Sequence, residues 1–339
     1  MIYLDKEKIM KRFVLIGYGW RALFYVRVAR NLHNEFSIVS WVVRFRERAE
    51  TLSDEYHLDT TVDLEKALSL EHDFVVLSVP PKANKELLLS LINRGEHILS
   101  ETSFTSQSFD DLKEIENAQR SSTASVEISE QYHVYPYFQA VKRLQPLLGQ
   151  ITECSIECVH DHHAISLLRF FLDTGFAGCS IDAHRIESPL VRTGSREGVD
   201  DKGEIISSNR LLALLQFPNG KSGYINFCND QYHSQIRSSH FALYGTRGEL
   251  YDNNLCHLDD SNLLVKKNLV TTEKGIFCND TLLAPQAEGL SQDETAIASC
   301  LRQIGQGYSL KEGLWDARLA KYVQQSAQEH REKEVNGEE

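Results

Sequence analysis

The chain is expected to fold as an α/β domain with a parallel sheet, followed by an α+β domain built on a mostly antiparallel open sheet. Three observations predict this. Up to residue 128, short apolar runs alternate with stretches of helical spacing, the mark of βαβ units. The first of those runs closes on a glycine turn, Gly17 to Gly19. Beyond about Leu148 the apolar runs follow one another without a helix after each, and Phe217-Pro218-Asn219-Gly220 has the residue types of a hairpin turn.

The elements follow in order. Residues 12–16 (RFVLI) stop at a glycine, as a buried parallel strand does. Helical spacing covers 22–32, a second strand covers 36–43 (FSIVSWVV), and 46–56 is a charged helix. A short strand around Thr60, a helix over 64–70 and a strand over 73–79 (DFVVLSV) come next. The helix over 83–93 ends at Arg94-Gly95, a C-cap signal. A strand at 97–100, a helix at 109–120 and a strand at 124–128 complete the first half. Strand-like runs at 152–158, 212–217 and 222–227 characterise the second, with helices at 292–304 and 310–327. The domains are set at 1–125 and 126–339, the latter carrying the C-terminal helices and any oligomerisation surface.

Composition narrows the function classes. Of 339 residues, 42% are apolar and 25% charged, values of an ordinary globular protein with room for two cores. No apolar run approaches a membrane span and no secretory pattern opens the chain, so no membrane partner is expected. The seven cysteines are scattered and odd in number, which suits reduced thiols in a cytoplasmic protein. A formal net charge of −12 disfavours nucleic acid, whose binding relies on cations.

The turn carries a chemical signal. Gly17-Tyr18-Gly19-Trp20-Arg21-Ala22 fits the G-x-G-x-x-G/A fingerprint of a Rossmann dinucleotide domain. Its first glycine makes the turn, its second admits the pyrophosphate, and its third small residue lets helix and strand pack. The phosphates would sit over free amides at the helix start. Arg21 is a candidate pyrophosphate partner, and Trp20 stands beside it. NAD binders usually carry an acid about 20 residues on; here the stretch is Val43-Arg44-Phe45-Arg46. A guanidinium there suits a 2′-phosphate, so NADP is favoured over NAD through Arg44.

With these motifs the chain resembles the Gfo/Idh/MocA oxidoreductase family, the group of glucose–fructose oxidoreductase and inositol dehydrogenase. The resemblance runs along nearly the whole chain. It passes through the fingerprint, Ser78-Val79-Pro80-Pro81, the stretch from Gly95 to Glu101, residues 131–136, residues 163–171, the hairpin turn and residues 244–250. It implies that Val79, Pro80, Asn84, Glu101 and Gln131 line the nicotinamide half. The family's Glu-Lys-Pro motif stands here as Glu101-Thr102-Ser103, without the lysine. Its aspartate–histidine–aspartate pattern stands as Val159, His163 and Ser166, and its proline-turn histidine is Asn84.

Hydride exchange with an alcohol needs a group to move the hydroxyl proton. His163 is the leading candidate, because imidazole titrates near neutrality, with Tyr132 or His133 assisting. No metal is expected. Cys154, Cys158, His160 and His162 alternate along one run, but one straight strand cannot wrap four ligands around an ion. The reading is an NAD(P)-dependent oxidoreductase acting on a small polar or sugar-like substrate, reducing C=O or C=N, in a homodimer or homotetramer. Its rivals are a catalytically silent dinucleotide or metabolite sensor, and a non-redox enzyme that uses NAD transiently.

Overall fold

The computed structural model describes residues 10–102, 104–195 and 197–338, and the chain divides into two compact units. One runs through Tyr135 and takes up Gln286–Leu314; the other comprises Pro136–Pro285 and Trp315–Glu339.

The first unit is a Rossmann fold. Strands β1 (Lys11–Ile16), β2 (Phe36–Val42), β3 (Thr60–Thr61), β4 (Phe74–Leu77), β5 (His97–Ser100) and β6 (Ser125–Ile128) pair in parallel, in the order β3-β2-β1-β4-β5-β6. Helices α1 (Trp20–Asn31), α2 (Arg46–Tyr56), α3 (Leu64–Leu68), α4 (Pro81–Asn93) and α5 (Phe109–Arg120) make the crossovers. A strand covered on both faces has no polar side to show. Accordingly Phe13 to Ile16 of β1 and all of β4 are buried. Capping chemistry starts the helices: Asp63 caps α3, and Ser108 with Asp111 forms a capping box on α5. Helix α1 begins differently, on Gly19, which brings no capping side chain.

The chain order reverses between β1 and β4, and the structure is tightest there. Gly17 leaves β1 at φ +112°, and a Cβ on it would lie 1.9 Å from the Ser78 carbonyl oxygen at the end of β4. From the other side, Trp41 Nε1 donates to the Gly17 carbonyl at 2.5 Å, and Gly17 N–H donates to Val42 O at 2.9 Å. The turn is thus clamped between the ends of β2 and β4.

The second unit begins with α6 (Pro136–Leu144), β7 (Ile151–Ile156) and α7 (Asp161–Leu172). Long strands β8 (Cys179–Val191) and β11 (Ile205–Gln216) flank a small hairpin, β9 (Gly194–Ser195) and β10 (Gly198–Val199). Then come β12 (Ser222–Cys228), β13 (Phe241–Gly245), β14 (Gly248–Tyr251), β15 (Asn254–Leu258), β16 (Leu264–Thr272), β17 (Gly275–Cys278) and β18 (Thr281–Pro285). After α8 (Gln292–Arg302) and α9 (Leu310–Glu329), β19 (Lys333–Val335) pairs with β8. Eleven strands form one sheet, β18-β17-β16-β15-β14-β13-β7-β12-β11-β8-β19, antiparallel except where β12 meets β7. The strand-like runs of the second half are therefore an open, mostly antiparallel sheet, as expected.

Side-chain alternation sorts the two faces of this sheet. Ile181, Ala183, Leu211, Ala213, Leu215, Ile225 and Phe227 are buried, whereas Asp182, His184, Ile186 and Tyr224 are exposed. On the buried face α7 lies so close that a Cβ on Gly223 would meet Leu168 at 2.8 Å. A buried ion pair joins α7 to α9, Arg169 to Asp316 at 2.5 Å. Where β19 stops, Ser326 of α9 takes over the β8 edge, accepting from Ala183 N–H at 3.0 Å.

The domain limits need correction. Residues 126–135 and Gln286–Leu314, assigned above to the second domain, group with the first unit. Ile297 and Leu301 of α8 enter the core formed by Phe13, Tyr25, Trp41 and Phe74. Arg27 pairs with Glu294, Arg302 with Glu35 at 2.8 Å, and the buried Glu127 carboxylate of β6 accepts from Gly305 and Gly307 N–H at 2.9 Å each. Local patterning carries no trace of a segment that returns from a distance in sequence.

The clamp on Gly17 predicts a contrast between the two turn glycines. Gly17→Ala should lower unfolding stability by about 3–5 kcal/mol, from positive φ plus overlap with backbone. Gly19→Ala should leave the denaturation midpoint nearly unchanged, since its φ is −66° and a Cβ there meets nothing within 4 Å. Equal midpoints for the two variants in urea would contradict the clamp.

Candidate functional site

The glycine turn presents one open side. Gly19 has free space where its side chain would be, and the first turn of α1 carries neither a capping side chain nor an acid. A helix start of this kind, with its amide N–H groups and the positive end of the helix dipole, favours an anion. A cradle with backbone on one side and nothing on the other fits a pyrophosphate. Ala22 is fully buried in the core, so it permits helix–strand packing and does not face a ligand. Trp20 is exposed and packs edge-on against Phe24.

Cations gather past the end of β2. Arg44 is exposed, with its guanidinium 5.3 Å from the Phe45 ring, and the Arg48 guanidinium lies 5.7 Å from the ring of Tyr18. The Arg48 Nε atom is buried without a partner among the described residues. Arg48 was not singled out in the sequence, although it lies one helical turn after Arg44.

Arg21 turns into the protein. Its side chain is 15% exposed, and Nε donates to Glu101 Oε2 at 3.0 Å, with Nη1 3.9 Å from Asp293. The other Glu101 oxygen accepts from the Tyr25 hydroxyl at 2.5 Å, which also lies 2.9 Å from Ser129 Oγ. Burial works against the Arg21 charge, but Glu101 and its hydrogen bond outweigh this and raise the guanidinium pKa further. Burial, then the neighbouring Glu101 charge, pushes the Tyr25 phenol well up, so it acts as a neutral donor. Tyr135, bonded to Asp293, is likewise raised, chiefly by burial. Arg21 and Glu101, both assigned above to the dinucleotide, are therefore committed to each other inside the protein. Spacing could not reveal a pair separated by 80 positions.

The other residues assigned to the nicotinamide half divide by burial. Val79 is half-buried and Pro80 exposed at the start of α4. Asn84 has no exposed surface and braces α4 against β5 through Ser100 Oγ at 3.1 Å, with its Oδ1 lacking a partner among the described residues. Gln131 is buried, with Oε1 lacking a partner among the described residues. A single 3₁₀ turn, Tyr132–Val134, then presents the half-buried Tyr132 stacked on Tyr135 at 5.0 Å, and His133 edge-on to Tyr308 at 4.7 Å. Thr102 is half-buried, while Ser103 lies outside the described residues.

Within the second unit, the first turn of α7 collects histidines. His163 is half-buried, with its ring 4.0 Å from that of His162 and 6.5 Å from that of His160. Val159 is in the core, and the buried Ser166 donates to the His163 carbonyl at 3.0 Å. Neither position supplies a carboxylate. His160 Nδ1 instead lies 2.6 Å from the carboxylate of its neighbour Asp161, a pair the sequence reading passed over. The run from Cys154 to His162 is not one strand, since β7 ends at Ile156 and α7 starts at Asp161. This removes the alignment that made a metal site there tempting.

Comparison with known proteins agrees with this geometry. Residues 11–130 match the model of the GFO_IDH_MocA family, described as an oxidoreductase family with an NAD-binding Rossmann fold. No curated protein matches the chain by sequence. Among solved structures, an NAD-binding oxidoreductase from Klebsiella pneumoniae superposes with a TM-score of 0.74 at 14% identity, over 97% of this chain and 100% of that one. Levoglucosan dehydrogenase in complex with NADH gives 0.73 at 15% identity, over 97% and 100%. An oxidoreductase from Agrobacterium radiobacter, in complex with NAD+, L-tartaric acid and magnesium, gives 0.70 at 15% identity, over 96% and 98%. At these identities the likeness is one of fold. Among the described residues no helix is long and apolar enough to cross a membrane.

The Arg21–Glu101 pair sets a stability test. Arg21→Met leaves a carboxylate buried with only Tyr25 for company, and should cost about 3–5 kcal/mol. Adding Glu101→Leu should recover much of that loss, because the uncompensated charge goes with it. Additive losses in a urea double-mutant cycle would show that the two side chains act independently.

Proposed function

We propose that the chain, whose residues 11–130 match the GFO_IDH_MocA family model, is an oxidoreductase of that family and exchanges hydride between a nicotinamide dinucleotide and a small polar or sugar-like substrate. The observation that carries the reading is the cradle of Gly17 and Gly19 at the reversal of strand order, the place where open α/β sheets take their ligands.

The bound dinucleotide supplies the hydride acceptor or donor. The amides of the first α1 turn hold its pyrophosphate, with Tyr18 and Trp20 beside them. Val79 and Pro80 line the nicotinamide half, with Gln131 as a polar contact. His163 moves the substrate's hydroxyl proton, a role that Thr102 cannot take from the family's lysine, and Tyr132 or His133 assists. For cofactor choice the proposal keeps Arg44: no acid follows β2 before Glu47, and the guanidinium stands in water, open to a 2′-phosphate. A homodimer or homotetramer would use the open face of the second sheet, where Ile186 and Tyr224 are exposed.

A second reading has its own support. Thr102, Val159 and Ser166 replace three ionisable groups of the family pattern, and Ser166 is occupied by backbone. A protein that binds the dinucleotide as a sensor, without chemistry, needs none of the three.

Two measurements bear on these readings. Fluorescence titration should show NADPH binding more tightly than NADH, with Arg44→Asp narrowing the gap; a parent protein that prefers NADH would remove Arg44 from this role. In assays of nicotinamide absorbance against a panel of sugars and polyols, His163→Gln should reduce turnover by about 10²–10⁴-fold while leaving cofactor affinity in place. Tight dinucleotide binding with no turnover anywhere in the panel would favour the sensor.

A further inference from the structure

A cavity of about 490 Å³ opens within the second unit, lined by the end of β8 and the segment after β12. Its volume is in the range that small-molecule sites occupy. Hydrogen bonds to backbone hold its walls. Gln231 is buried in the 3₁₀ turn Asn229–Tyr232, accepting from Cys228 N–H at 3.2 Å and donating to Glu157 O. Gln235 N–H donates to Thr193 Oγ1 at 2.9 Å, and a Cβ on Gly194 would lie 2.2 Å from the His233 carbonyl oxygen. The segment after β12 and the end of β8 are thereby fixed against each other.

That turn carries Asp230 into the wall. The Asp230 backbone carbonyl accepts from His233 N–H at 3.3 Å, while its half-buried carboxylate has no hydrogen bond and no ion pair among the described residues. The other charges of the lining do not offset it. Arg192 Nη1 is engaged by Glu204 Oε2 at 2.9 Å, and Arg192 N–H donates to Glu204 O at 2.8 Å, so this cation is neutralised by its own partner. His160 Nδ1 lies 2.6 Å from Asp161 Oδ2. With or without a second proton on the imidazole, that pair brings no positive excess. His233 is the remaining basic group of the described lining. Beside these polar groups, Leu190, Val191 and Ile206 line the same cavity with apolar surface. The ring of Tyr232, 43% exposed, stands 4.9 Å from that of Phe227 and 5.9 Å from that of His160.

From this arrangement we infer that the cavity is a binding site for a small organic cation, an alkylammonium whose charged head pairs with Asp230 while its stem lies on Leu190, Val191 and Ile206. The sign of the ligand follows from the unpaired carboxylate. Any molecule that fills the cavity strips water from Asp230, and that costs free energy unless a counter-charge replaces the water. A neutral ligand brings none. An anion is repelled by Asp230 and has to displace Glu204 from Arg192 before it gains a cation. An ammonium meets the carboxylate through charge-assisted hydrogen bonds, and the Tyr232 ring offers it an aromatic face. The inference involves the second unit alone and stands apart from the dinucleotide reading.

The test uses the full chain without nucleotide, at about pH 8.5, above the ordinary imidazole range and below that of an alkylammonium. Ligand-observed NMR titration compares three probes of one shape: n-pentylammonium, 1-pentanol and pentanoate. Pentylammonium should bind about tenfold more tightly than pentanol, the worth of a hydrogen-bonded charge, and pentanoate should not bind. Asp230→Asn should weaken pentylammonium by about the same factor and leave pentanol unchanged. Its carboxylate holds no other part of the described structure, so the thermal midpoint should stay in place. Because the whole chain carries a net charge of −12, the exposed Glu273 serves as a control, and Glu273→Gln should leave the ammonium affinity as it was. Equal affinity for pentylammonium and pentanol, preference for pentanoate, or no binding of the ammonium up to tens of millimolar would overturn the ligand class. Equal losses in Asp230→Asn and Glu273→Gln, or none in Asp230→Asn, would overturn the site.

Discussion

The contact between Gly17 and the Ser78 carbonyl is the constraint on which the first unit depends. Only a residue without a side chain can sit where β1 turns so close to the end of β4. Trp41, fully buried, closes the turn from the β2 side through its indole N–H. The two neighbours fix the direction in which α1 departs. α1 then starts on a second glycine, and no side chain caps its first turn. Steric closure at Gly17 and open space at Gly19 thus meet at one turn.

Behind that turn, charge is handled by pairing. The Arg21 guanidinium and the Glu101 carboxylate are both nearly out of solvent and satisfied by each other, by Tyr25 and by Asp293. A buried pair of this kind adds little net stability over a well-packed apolar one, but either member alone would be costly. The pair links the first turn of α1 to the residue after β5. Glu101 thus serves as an internal anchor, and the residue after it is Thr102. In the second unit, Arg169 and Asp316 do similar work between α7 and α9.

The first turn of α7 shows the opposite use of a charged group. There a carboxylate is held in a strained backbone conformation, half in water, and bonded to an imidazole facing an open cavity. Stability alone would not place it so. Val159 and Ser166 on either side have been turned over to packing and backbone hydrogen bonding. The first turn of α7 gathers His160, Asp161, His162 and His163.

Much of this was legible in the residue order. Parallel strands announce themselves as unbroken apolar runs because both faces are covered, and the glycine fingerprint is a local steric demand, so the Rossmann fold, its turn and its open α1 start could be read directly. The antiparallel sheet followed from runs without intervening helices. Three things were decided only by tertiary structure. The return of Gln286–Leu314 to the first unit depends on packing between α1 and α8. The inward turn of Arg21 depends on Glu101, which chain topology brings beside it. The pairing of His160 with Asp161 depends on where β7 stops and on the backbone twist at Asp161. Each is a contact between groups whose separation in sequence, or whose local dihedral angle, no periodic pattern records; local sterics belong to the sequence, and long-range partners belong to the fold.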